Sequence, residues 1–119
     1  MTAQEIFDKA AVGLLTQKAK SYLVNPDGHE SMVCAYRGAN GKKCAAGFCI
    51  DDHTYIGNME RRSINTVIEI FELRNLIEHL DLLAPLQSIH DQVSIDNWKA
   101  ELLRLAKTKG LSTEKIDNL

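Results

Sequence analysis

Residues 63–80, SINTVIEIFELRNLIEHL, decide the architecture. Ile64, Val67, Ile68 and Phe71 fall on one stripe of a helix, and Leu73, Leu76, Ile77 and Leu80 on another. At about 100° per residue the two stripes point roughly 180° apart. One helix carrying both would have to be buried on two sides, which a chain of 119 residues has little protein to accomplish. The spacing therefore predicts two helices with a break near Glu72. Thr66 to Leu83, the longest candidate for a membrane span, is interrupted by Glu69, Glu72, Arg74, Glu78 and Asp81.

Working outward, the pattern stays helical toward the C-terminus. Pro85 suits the first turn of a further helix that turns Leu86, Ile89, His90 and Val93 inward. Ser94 or Asp96 can cap a last helix with Trp98, Leu102, Leu105 and Ala106 on its apolar face. Gly110 marks its end, and residues 111–119 read as a polar, loosely held tail. Toward the N-terminus, Thr2 and Glu5 form a capping box. Ile6, Phe7, Ala10, Ala11 and Leu14 then predict a first helix to about Tyr22, closed by Asn25-Pro26-Asp27-Gly28.

Between these helices the pattern changes. Ser31 to Arg37 partly alternates, Gly38-Ala39-Asn40-Gly41 supplies residues that tolerate a reversal, and Lys42 to Ile50 can return as a second strand. The competing reading is that Ala45-Ala46-Gly47, poor strand residues, turn away early. The expectation is an α+β fold: a single, mostly helical domain, residues 1–119, with one short β-hairpin at about 31–50.

Composition bounds the function. Apolar residues make up 45% and charged residues 25%, as in a folded globular domain. The formal charge of −2 offers no field toward nucleic acid or an anionic membrane. The first residues have neither the basic nor the apolar region of a secretory signal, so the expected location is cytoplasmic. Three cysteines are then expected as thiols or ligands rather than disulfides.

The chemically distinctive stretch is Cys34 to Tyr55, and it admits four readings. Cys34, Cys44, Cys49 and His53 offer the ligand types of a structural zinc site, but Cys34 and Cys44 are too far apart in sequence to form a knuckle. Cys44 follows Lys42 and Lys43, whose charges favour a thiolate, so a cysteine-dependent enzyme using Cys44 is the alternative from another class. His90-Asp91 has the makings of an acid–base pair but reads more simply as a helix-end histidine. Tyr36-Arg37 and Lys42-Lys43 together resemble a stacking platform for nucleic acid, against the acidic balance of the chain. The fourth reading is a small module that binds another protein. It is preferred because the chain is short and carries no cofactor motif. Arg61 and Arg62 read as a solvated loop.

The progression Cys34-Ala35-Tyr36-Arg37, Gly41-Lys42-Lys43-Cys44-Ala45-Ala46-Gly47, then Ile50-Asp51-Asp52 and Tyr55 resembles a family of small uncharacterised bacterial and phage proteins with the pattern C-x-Y-R … G-x-K-C-A-x-G … I-x-D-x-x-Y. The resemblance extends to Gln4-Glu5-Ile6-Phe7-Asp8, Leu86 through Asp91, and Asp96-Asn97-Trp98. Asp51 stands where that pattern has proline. Cys34 and Cys44 match the pattern whereas Cys49 and His53 do not, which weakens zinc. The resemblance directs attention to Tyr36, Arg37, Lys43 and Tyr55 as binding residues. It also implies a phage or prophage accessory role, modulating a host or defence protein in the bacterial cytoplasm without an active site of its own.

Overall fold

A computed structural model describes residues 1–119. The fold consists of five α-helices and a two-stranded antiparallel sheet: α1 (Ala3–Gln17), β1 (Tyr22–Val24), β2 (Glu30–Cys34), α2 (Ile64–Ile70), α3 (Arg74–Ile77), α4 (Leu80–Gln92) and α5 (Trp98–Lys109). Single 3₁₀ turns fall at Ala39–Gly41, Ala46–Cys49, Gly57–Met59 and Ile95–Asn97. This is the expected α+β class.

The capping box opens α1 as its sequence demands: Thr2 Oγ1 accepts from the Glu5 amide at 3.1 Å, and Glu5 accepts from the Thr2 amide at 3.0 Å. The helix stops at Gln17, well before Tyr22, with Lys18 left-handed at φ 52°. The cause lies across the core. Ser21 is fully buried, with its amide donating to His90 Nε2 at 2.9 Å and its hydroxyl to the Ala35 carbonyl at 2.8 Å. Those bonds hold residues 19–21 out of the helix.

The hairpin lies earlier than the sequence suggested. Tyr22 pairs with Cys34 and Val24 with Glu30, so the reversal is Asn25 to His29. Asn25 donates to the His29 carbonyl at 2.7 Å, Gly28 donates to Asn25 at 2.9 Å, and Gly28 takes φ 88°. Pro26 and Gly28 are suited to such a turn. Gly38–Gly41 does reverse the chain, but no strand follows it. Ala45, Ala46 and Gly47 are buried beneath α1, where their small side chains let a 3₁₀ turn pack closely. A Cβ on Gly47 would lie 2.5 Å from the Tyr36 carbonyl oxygen, so only glycine fits there.

The break near Glu72 is real: Glu72 has φ 53° between α2 and α3. Pro85, however, lies inside α4 rather than in its first turn. It sits one turn beyond the exposed Asp81, whose carbonyl has no intrahelical N–H to accept from there. The core gathers α1, α4 and α5 around Phe7, Leu14, Leu83, Leu86, Trp98 and Leu102, all fully buried. The tail is held rather than loose. Ile116 is fully buried, and Gln4 exchanges two hydrogen bonds with Ser112 at 2.8 and 2.9 Å.

Candidate functional site

The distinctive segment folds into two polar networks, one structural and one at the floor of a cleft. The first is built on Arg37. Its guanidinium donates to the carbonyls of Tyr36, Gly47 and Ile50 at 3.0, 2.8 and 2.6 Å, and to Asp52 at 3.0 Å. It also lies over the Tyr55 ring, 4.8 Å from the centroid. Glu60 completes this network, accepting from the amides of Tyr36 and Arg37 and from the Tyr55 hydroxyl at 2.9, 3.0 and 2.6 Å. Burial, and then the bond to Glu60, pushes the Tyr55 phenol up to about 12.

Tyr36 is buried and donates its hydroxyl to the Arg62 carbonyl at 2.6 Å. Lys43 reaches Asp52 at 3.4 Å. Lys43 first, and Arg37 second, holds the Asp52 carboxyl below its ordinary range. The four residues singled out for binding, Tyr36, Arg37, Lys43 and Tyr55, thus spend most of their polar side-chain atoms on tying residues 35–62 into one unit.

The second network joins β2 to α4. Gln87 donates to Cys34 Sγ at 2.9 Å and to Asp91 Oδ1 at 3.0 Å, while its own oxygen accepts from the Ala46 amide at 3.0 Å. His90 is fully buried, stacked 5.9 Å from Trp98. Because the Ser21 amide donates to its Nε2, the ring proton belongs on Nδ1, which contacts Asp91 Oδ1 at 2.7 Å. Burial disfavours a charged His90, whereas Asp91 and Cys34 beside Nδ1 favour one and raise its pKa. The Ser21 amide resists that charge, since a proton on Nε2 would face another donor.

This geometry decides what the cysteines can do. Cys34 Sγ lies 4.0 Å from His90 Nδ1, on the same ring edge as Asp91. A nucleophile and its orienting carboxylate sit at opposite imidazole nitrogens in a working triad, and here the second nitrogen is occupied by Ser21. Contact with Cys44, then burial, drives the Cys34 thiol pKa far up, so it stays protonated. Cys44 is fully buried. Cys49 donates to the Ile6 carbonyl at 3.6 Å, and burial pushes its pKa up to about 12. His53 is exposed in a turn. Cys34 and Cys44 touch, but Cys49 and His53 do not join them in one cluster.

Cys34, His90 and Asp91 do converge, with ligand atoms within 4.8 Å of one another. Yet a tetrahedral zinc with bonds of about 2.0–2.3 Å holds its ligand atoms well over 3 Å apart. The 2.7 Å between His90 and Asp91 is a hydrogen bond. A metal on Nδ1 would also force the ring proton onto Nε2, against Ser21. The donor set does not fit zinc in this arrangement.

Above this floor opens a cleft of about 440 Å³, walled by Val33, Tyr36, Arg61, Arg62, Ile64 and Gln87 among others. Arg61 and Arg62 also border a second, shallower groove beside Val24 and Asn58. Neither guanidinium is among the ion pairs of the chain. Arg62 uses Nε on the Asn58 carbonyl at 2.9 Å, and both arginines are exposed. The adjacent hairpin leaves Val24, Met32 and Val33 exposed, Met32 by 86%. Gln87, Ser21, Glu60 and the arginine pair were not prominent in the sequence. Only the Leu86–Asp91 block carried a signal, through the resemblance.

Comparison of the chain with protein-family models, curated proteins and solved structures finds no match. No helix is long and apolar enough to cross a membrane.

Proposed function

We propose that the chain is a non-enzymatic binding module that docks another protein's acidic segment across the hairpin and the Arg61–Arg62 cleft. The observation that carries this reading is the pair of unpaired guanidiniums shared by two grooves, next to exposed Val24, Met32 and Val33. Arginine and methionine are enriched in protein interfaces, and an arginine fork recognises carboxylates in a way that a point charge does not. The buried Cys44 and the protonated Cys34 favour this reading over a cysteine-dependent enzyme. The motif resemblance of residues 34–55 to small bacterial and phage proteins makes a host or defence protein in the cytoplasm the partner we propose.

The test is affinity capture in the native host, comparing the natural chain with Arg61→Glu/Arg62→Glu. Both positions are exposed, so the double variant should keep its circular dichroism and melting temperature. The expected result is a reproducible partner that the double variant loses. Equal recovery by both chains, or no reproducible partner, would defeat the reading.

A further inference from the structure

A third groove, of about 430 Å³, lies where the chain breaks between α2 and α3 and has charge of a different kind. Ile68, Leu73, Ile77 and Leu80 supply its apolar lining, and Glu69 and Glu72 stand on its rim with Arg74. The two carboxylates are exposed and pair with no cation of the chain. Ile77 is 55% exposed on this lining. An isoleucine left this far out of the core, in an open apolar groove, lacks a partner surface within the chain.

We infer that this groove docks a basic, amphipathic helical segment of a partner protein. The groove explains the chemistry required: aliphatic side chains at i, i+3, i+4 and i+7 of the incoming helix fill the apolar floor, and flanking lysines or arginines meet Glu69 and Glu72. Glu69 and Glu72 outnumber Arg74 on the rim, which disfavours an acidic segment, so the groove selects the opposite kind of partner from the Arg61–Arg62 cleft. The inference does not rest on the reading of that cleft.

The experiment titrates the full chain with a leucine–lysine peptide patterned as an amphipathic helix, following backbone amide shifts by NMR. A scrambled peptide of identical composition is the control. Shifts should concentrate at residues 64–80, with the patterned peptide binding at least tenfold more tightly than the scrambled one. Glu69→Lys/Glu72→Lys should lose at least tenfold in affinity, and so should Ile77→Ser. Arg61→Glu/Arg62→Glu should bind as the natural chain does, which keeps this inference separable from the cleft. Equal binding of the scrambled peptide would reduce the effect to diffuse charge and overturn the proposal. So would shifts centred elsewhere, or concentration-dependent self-association that perturbs residues 64–80 without peptide, which would make a second copy the occupant.

Discussion

Glu60 shows how much one side chain can organise. Its two oxygens accept from two backbone amides and a phenol, and Arg37 ties the same loops from the other side through three carbonyls. Glu60→Ala leaves all three donors short of an acceptor, so it should lower stability by roughly 3 kcal/mol in urea unfolding, given the worth of hydrogen bonds to a charged group. Asp91 makes a different prediction. Burial pushes its carboxyl up, but the bonds from His90, Cys34 and Gln87 and the field of His90 outweigh that and hold it below the ordinary value. A carboxyl depressed on folding stabilises at pH above its unfolded value, about 3.9, and that contribution fades as pH falls through the lower folded value. Asp91→Asn should therefore flatten the stability profile below about pH 4, read by urea titrations across pH. Tyr36, Arg37 and Tyr55 were legible from their pattern, but their role was not. Glu60, more than twenty residues from Arg37 in sequence, has no local periodicity to announce it.

At the scale of elements, the phase of apolar stripes located the α2–α3 break because helical burial has a fixed period. Turn chemistry proved ambiguous, since Asn25–Gly28 and Gly38–Gly41 both suit a reversal. The flanking residues break the tie. Tyr22-Leu23-Val24 has strand-forming side chains, whereas Ala45-Ala46-Gly47 packs as a tight turn beneath α1. The early end of α1 was invisible because it depends on His90, 69 residues from Ser21. Two substitutions test these accounts. Gly47→Ala sets a Cβ against the Tyr36 backbone and should cost about 1–3 kcal/mol by overpacking. Glu72→Gly relieves a left-handed residue and should gain roughly 0.5–1 kcal/mol, the strain relieved less glycine's entropy cost. Thermal melts of both variants measure the two effects.

For the whole molecule, the tail closes the core. Ile116 is fully buried and Lys99 donates to the Asp117 carbonyl at 3.0 Å, so Ile116→Ala should cost about 3 kcal/mol in urea unfolding, as aliphatic truncations in cores do. Ile116, set between Leu111 and Leu119 in an otherwise polar stretch, gave no helical periodicity to announce this. The surface that remains carries the functional claim: two unpaired arginines beside an exposed hairpin, over a floor of hydrogen-bonded Cys34, Gln87 and Asp91. The most direct test is hydrogen–deuterium exchange on the captured partner complex. The account predicts new protection at residues 30–34 and 61–65, and its loss together with the partner in Arg61→Glu/Arg62→Glu. Protection confined to other elements, with the double variant binding as tightly as the natural chain, would contradict it.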